Sequence, residues 1–300
     1  MLMKKILIFL FLVIFVGSSS ADNSNLKNSF YSSIESLLEG NFKDTDFSIK
    51  SREGNKPEIG ILTFKPLVNE DNNLTFFQGS FFTHDGDRET LNLGLGKRNL
   101  SNDESIIFGL NLFYDHELDY DHQRISLGTE IKSSILKLNT NNYFAISDQK
   151  KGKNNIDEEV ADGYDLEIGA HVPYIPSATI YAKLFEFEIP GGNDYEGVEF
   201  SSKIEVPNSG LNLEIGFTDF GNSSYEDQWF VNLSFSLNKI NSNKSFISDK
   251  VYNKISMKNK MYEKVRRENI ILKSKGFAVK LWFPSPSAVL TVKLQSPVVG

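Results

Sequence analysis

From about Phe47 to Asn238 the chain runs as about twelve short segments in which apolar residues alternate with small or polar ones, and this period of two constrains the fold most tightly. Leu91, Leu93 and Leu95 alternate with Thr90, Asn92, Gly94 and Gly96; Trp229, Val231, Leu233, Phe235 and Leu237 alternate with Asn232, Ser234, Ser236 and Asn238. One apolar and one polar face, repeated over ~190 residues behind a secretory signal, is the pattern of a barrel in an outer membrane. Lipid demands an apolar surface, and a closed sheet leaves no backbone amide unpaired there.

The signal reads as Lys4 and Lys5, the apolar run Ile6 to Val16, and small residues ending at Ala21, with cleavage expected before Asp22. That run is too short for a comfortable helical span, and no later stretch approaches ~20 apolar residues. The net charge is −7, and loss of Lys4 and Lys5 takes it to −9, which argues against a nucleic-acid partner. The chain has no cysteine, so disulfides, thiolate chemistry and cysteine metal sites are excluded.

The domain plan is a signal peptide at 1–21, an N-terminal segment at 22–43, a barrel at 44–238, a basic linker at 239–276 and a short extended tail at 277–300. In the second segment Leu26, Phe30, Ile34, Leu37 and Leu38 predict a short amphipathic helix capping the periplasmic rim. Strands are expected at 45–52, 57–66, 73–83, 88–97, 106–116, 122–132, 134–146, 163–172, 177–187, 196–206, 210–220 and 227–238. The segments at 57–66 and 73–83 sort poorly, so their register stays open. Ile247, Val251, Ile255 and Val265 predict a helix in the linker, in or near the lumen.

The polar face carries Arg124, Glu130, Lys137, Asp165, Glu167, Lys183, Glu199, Lys203, Glu205 and Glu214. A charge facing lipid at mid-depth costs a few kcal/mol, so these are the lumen candidates. Gly94, Gly96, Gly109, Gly128, Gly169 and Gly216 share that face and are read as room for a threaded segment. Phe77, Phe81, Phe113, Tyr114, Tyr143, Phe144, Tyr164, Tyr181, Phe185, Phe187, Phe220 and Trp229 often fall near strand ends and are read as interfacial girdles. The linker candidates are Lys250, Lys254, Lys258, Lys264, Arg266 and Arg267, expected to enter an acidic lumen. By strand parity the connection 147–162 is the longest and lies outside the cell, solvated by Lys150, Lys151, Lys153, Asp157, Glu158 and Glu159.

No catalytic constellation stands out, so no enzyme and no cofactor is expected. His116, His122, Asp115, Asp119 and Asp121 suggest a cation cup, but solvated loop acids are far commoner. The Gly94–Arg98 stretch lacks the Ser or Thr and the helix of a phosphate loop. The carboxylate pairs Glu199 with Glu205 and Asp165 with Glu167 are read as inward charges in a wet lumen.

Six phrases in order carry a resemblance: RETLNLGLGKR at 88–98, FGLNLFYDHEL at 108–118, HQRISLGTE at 122–130, LKLNTNNY at 136–143, DGYDL at 162–166 and VPYIP at 172–176. A seventh, YEKVRRENIIL at 262–272, lies in the linker. They resemble the β-domain of the inverse autotransporters, the intimin and invasin family. The resemblance implies a twelve-strand outer-membrane barrel with a periplasmic N-terminus. It further implies a linker running up the lumen and a displayed C-terminal passenger, here a very short one. Barrel-assembly machinery, periplasmic chaperones, outer-membrane lipid and an unidentified cell-surface ligand are the partners so implied. A translocator is therefore expected, with a small porin-like channel plugged by its own C-terminal segment as the alternative. A soluble barrel of lipocalin type fits poorly with about twelve strands.

Overall fold

The computed structural model describes residues 44–236, 245–252 and 255–275. The expected signal peptide, the N-terminal helix at 22–43, the tail at 277–300 and Lys254 lie outside the described residues.

The strands are β1 (Asp44–Arg52), β2 (Glu58–Glu70), β3 (Asn73–His84), β4 (Arg88–Leu100), β5 (Ile106–Glu117), β6 (His122–Ser133), β7 (Leu136–Ala145), β8 (Lys150–Lys151), β9 (Asp157–Val160), β10 (Asp162–Val172), β11 (Ile175–Glu188), β12 (Tyr195–Glu205), β13 (Leu211–Phe220), β14 (Gln228–Ser236) and β15 (Lys273–Lys275). Twelve of them close into one antiparallel barrel in which β1 pairs with both β2 and β14. β7 pairs directly with β10, so β8 and β9 sit in the connection between them. β15, β9 and β8 form a separate three-stranded sheet. The rim that holds the start of β1 and the end of β14 is called the terminal rim below, and the opposite one, with β8 and β9, the distal rim.

Closure makes the period of two visible as an outside and an inside. Leu95, Phe108, Leu110, Leu112, Leu127, Ile168, Ile180, Phe200 and Trp229 are exposed on the outer wall. Their chain neighbours Gly94, Gly109, Asn111, Ser126, Glu167, Thr179 and Glu199 face inward and are buried. No helix among the described residues is long and apolar enough to cross a membrane; the strands carry the apolar surface.

The two segments whose register the sequence left open are explained by their lining. β2 is bulged between Pro66 and Val68, which slips the face of every later residue. Phe64, Leu74 and Phe76 point inward into an apolar cluster, so both faces of β2 and β3 carry hydrophobic side chains and the alternation fades.

The girdle reading holds for only part of its list. Phe144, Tyr164 and Trp229 are exposed on the wall, whereas Phe113, Tyr143, Tyr181, Phe185, Phe187 and Phe220 are buried inside. The inward glycines serve these rings. A Cβ at Gly94 would lie 2.2 Å from the Phe113 ring, one at Gly96 2.2 Å from Phe76, and one at Gly169 2.5 Å from Tyr181. The glycines thus make room for cross-strand neighbours and only indirectly for the linker.

The expected linker helix is corrected. Within 255–275 the chain makes one 3-10 turn, Lys258–Tyr262, and then runs on without helix to β15.

Candidate functional site

The linker enters at the terminal rim, where the Met257 amide donates to the Glu104 carbonyl at 2.8 Å in the β4–β5 turn. Met257, Met261 and Val265 pack there against Phe64, Leu74, Phe76, Leu100, Ile107 and Phe113. Phe64 and Phe76 are stacked at 4.7 Å between ring centroids. These side chains form an apolar collar that removes Met257, Met261 and Val265 from water.

Charge takes over from the collar inward. Arg98 is fully buried, with its guanidinium 4.6 Å from the Phe76 ring centroid. It pairs with Glu130 and donates to the carbonyls of Met261 and of Glu263, the latter at 2.5 Å. Glu263 sits among Lys260 at 2.5 Å, Lys137 at 3.3 Å and Lys132 at 3.9 Å. One residue on, Lys264 reaches Asp46 of β1 at 2.9 Å.

Arg266 and Arg267 are the centre of the site. Successive side chains of an extended chain point to opposite sides, and these two grip opposite walls. Arg266 binds Glu167 through two bonds of 2.7 Å, reaches Glu214 at 2.9 Å, and lies 3.9 Å from the Tyr181 ring centroid. Arg267 binds Asp115 through bonds of 2.9 and 2.6 Å and Ser126 at 3.0 Å, over the Phe113 ring at 4.3 Å. Asp115 also holds Arg124 at 2.9 Å, and the side chains of all three are fully buried. Two-point guanidinium–carboxylate pairing fixes orientation as well as charge.

The lumen also explains why the linker is not helical. Wall side chains take up its backbone groups: Gln78 accepts from the Val265 amide at 2.8 Å, and the Tyr143 hydroxyl accepts from the Glu268 amide at 2.6 Å. Asn141 donates to the Arg266 carbonyl, Arg124 to that of Glu268 and Asn92 to that of Asn269, at 3.1, 2.9 and 2.9 Å. A helix would spend these groups on itself and leave the wall amides and guanidiniums unpaired.

At the distal rim the linker becomes a strand. β15 pairs with β9, Lys273 opposite Val160 and Lys275 opposite Glu158, and the Ala161 amide donates to the Leu272 carbonyl at 3.0 Å. Beneath this sheet lies a buried ionic clasp. Arg88 bridges Glu117 at 2.6 Å and Glu158 at 2.6 and 3.0 Å, His122 contacts Glu158 at 3.2 Å, and Lys273 pairs with Glu117. The connection 147–162 is therefore not uniformly solvated: Lys151 is exposed, but Glu158 is only 1% exposed. Burial by itself would raise the Glu158 carboxyl, but hydrogen bonds from His122 and Arg88 hold it at about 2.

Glu117, His122 and Glu158 offer ligand atoms within 4.8 Å of one another. Arg88 and Lys273 already neutralise the two carboxylates, so the cluster reads as an ion-pair clasp. The cation cup of the sequence reading does not assemble: His122 points inward, while His116 lies on the outer side and pairs with Asp121 at 2.9 Å.

Among the lumen candidates, Arg124, Lys137, Glu167 and Glu214 contact the linker directly, and Glu130 does so through Arg98 and Lys132. Asp165 faces inward but is held by Tyr143 and Asn141. Lys183 and Glu199 pair with each other at 3.0 Å, and Lys203 and Glu205 lie half-buried on the same inward face of β12. Of the linker candidates, Lys264, Arg266 and Arg267 are in the lumen, but Lys250 is exposed before the entrance and Lys258 is exposed at it. A basic run marks this linker without saying where it enters.

Arg98, Arg88 and Glu117 carry no role in the sequence reading; Asp115 enters it only in the cation cup, Tyr143 only as a girdle aromatic, Glu158 only as a solvated acid and Lys273 only as one base of the linker. Parity alone points Asp115 inward, because Leu112 and Tyr114 are apolar residues of the opposite parity on the same strand. Glu158 carries no such signal, since it lies in a connection.

A family model for the inverse autotransporter β-domain matches residues 18–269. Among curated proteins the chain is 33% identical over 135 residues to an "attaching and effacing protein homolog" of Escherichia coli (strain K12), covering 44% of this chain and 43% of the relative. It is 30% identical over 103 residues to Invasin of Yersinia enterocolitica, covering 34% and 12%, and 31% identical over 108 residues to Intimin of Escherichia coli O127:H6, covering 35% and 11%. The matches span less than half the length of each of these relatives. A solved structure, "Unveiling the Mechanism Behind the in-meso Crystallization of Membrane Proteins", superimposes with a TM-score of 0.63 at 20% identity, over 77% of this chain and 98% of that one, a likeness of fold alone. With the family model covering most of the chain, the barrel is a bacterial outer-membrane barrel and the protein belongs to the inverse autotransporter β-domain family.

Proposed function

We propose that this barrel exports its own C-terminal segment and anchors it, with the terminal rim in the periplasm and the distal rim outside the cell. One observation carries the reading: the linker runs from the Glu104 turn on one rim to β9 on the other, bonded to the wall along its length. A segment that arrives unfolded exposes backbone and arginines, and this lumen is lined to receive both. Once seated, the bonds of Arg266 and Arg267 and the clasp at Lys273 hold it. The outer wall is solvated by outer-membrane lipid. Assembly machinery and periplasmic chaperones deliver the barrel, as for the family, and a cell-surface ligand of the displayed tail gives it an adhesion-related role.

The test is access from outside. An epitope at Gly300 is expected to be clipped by protease added to intact cells, and a peptide inserted at Asn154 to be labelled by a membrane-impermeant reagent. Reaction of both only after permeabilisation inverts the topology. An inaccessible tail, with pore conductance that rises when 257–300 is deleted, makes the chain a plugged channel instead.

A further inference from the structure

The two arginines leave one charge of the linker unexplained. Glu268 follows them, its amide taken by Tyr143 and its carbonyl by Arg124. Its Oε1 accepts from the Ile270 amide at 3.2 Å, and its carboxylate makes no direct ion pair among the described residues. Two residues on from Arg266, it faces the same side of the extended chain, about 7 Å nearer the distal rim. Arg266 lies over Tyr181 of β11, and two residues along β11 in the same direction stands Lys183. Lys183 belongs to a patch of charged side chains on the neighbouring walls. It pairs with Glu199 at 3.0 Å, and Arg52 of β1 pairs with Glu199 and with Glu58 at 3.4 Å each. Lys50 holds its Nζ 4.6 Å from the Phe230 ring centroid and has no carboxylate partner among the described residues. Three bases against two acids leave the patch one positive charge in excess. Asp165 on β10 is turned to Tyr143 and Asn141. Of the charges around the Glu268 carboxylate, Lys50 bears on it most strongly, then Lys183 and Arg52.

We propose that Lys50, Arg52 and Lys183 fix the register at which the linker comes to rest, by accepting a carboxylate at position 268 and rejecting a base there. The inference rests on the reading of the linker as an exported segment that slides to a stop. A shift of two residues keeps every side chain on its own wall, so it is the step a sliding extended chain takes most easily. One such step towards the distal rim brings Arg266 to the patch and Val265 to Asp115. Lys264 then replaces Arg266 at Glu167 and Glu214, so on that wall the patch alone opposes the step. One step back puts Glu268 between Glu167 and Glu214 and Asn269 at Asp115. In both steps like charges meet and Asp115 loses Arg267. The sequence base–base–acid at 266–268 thus matches the walls in one register.

The absence of cysteine lets register be read by disulfide formation. Ser274 stands opposite Glu159 where β15 meets β9. In outer membranes holding the full mature chain, Ser274→Cys with Glu159→Cys, oxidised with copper phenanthroline, reports the native register. Gly276→Cys with Glu159→Cys reports a linker set back by two residues. Glu268→Lys is expected to lower the first disulfide about ten-fold and to raise the second, because the patch repels the new base while Glu167 and Glu214 attract it. Adding Lys50→Glu reverses the excess charge of the patch and is expected to restore the first disulfide. Glu268→Gln keeps the shape, removes the charge and should give an intermediate yield. Yields are compared among variants whose heat-modifiable migration shows a folded barrel. A first disulfide in Glu268→Lys or Glu268→Gln equal to the parent's, or one that Lys50→Glu fails to restore, overturns the proposal. The disulfide reads register on whichever side of the membrane the tail lies, and the Gly300 protease assay reads export, so the two readings fail separately.

Discussion

The two ends of the lumen hold one linker by different physics. At the terminal end Met257, Met261 and Val265 are packed in an apolar collar; further in, Arg266, Arg267 and Lys273 are held by carboxylates. Apolar burial is non-directional and tolerates sliding. A buried two-point ion pair tolerates neither displacement nor loss of its partner. The collar thus suits a seal, and the arginine pair and clasp suit a stop that sets the final register.

The largest expected effect breaks the ionic half. Asp115→Asn leaves Arg124 and Arg267 without their carboxylate in a site where all three side chains are fully buried. A loss of about 3–5 kcal/mol is expected, because an uncompensated buried charge remains. It is read as a fall in the temperature at which the barrel loses heat-modifiable migration. A loss below ~1 kcal/mol would mean that water reaches the pair and that the arginine grip is weak.

Next comes the apolar half. Met261→Ala at a 3% exposed position should cost about 2–3 kcal/mol, and the cost should not change between 50 mM and 1 M salt. If added salt erased it, the collar would be acting through the nearby Arg98 and Glu130 rather than by packing.

The clasp is sharpened by pH. Glu158 is held at about 2, below its ordinary 4.5, so its contribution is complete above about 4.5 and fades as pH falls towards about 2. Amide exchange of β9 and β15 should therefore stay slow at pH 4 and rise at pH 2, whereas Glu158→Gln should exchange faster already at pH 7. Identical exchange in variant and parent at pH 7 would remove the clasp from the account. The smallest effect is expected at Lys264→Ala, whose partner Asp46 is partly exposed: roughly 0.5 kcal/mol, vanishing in 1 M salt. An effect as large as that of Asp115→Asn would erase the distinction between a surface-like pair and a buried one.

The outer wall was written in the sequence by itself. Lipid imposes one requirement on every second residue, and Leu110, Leu112, Leu127 and Phe200 satisfy it without reference to any distant partner. For the same reason strand positions and inward charges such as Arg124, Glu167 and Glu214 could be read from parity. The lumen answers to a different constraint, since what an inward residue touches depends on which strands close beside it and on what threads between them. Only the tertiary structure turned Phe113 and Tyr181 from girdle residues into platforms for Arg267 and Arg266, and replaced the linker helix by a chain bonded to the wall. Glu158 shows the limit most plainly. In sequence it is one acid in a hydrophilic connection, and only closure of the barrel beneath β9 buries it against Arg88 and His122.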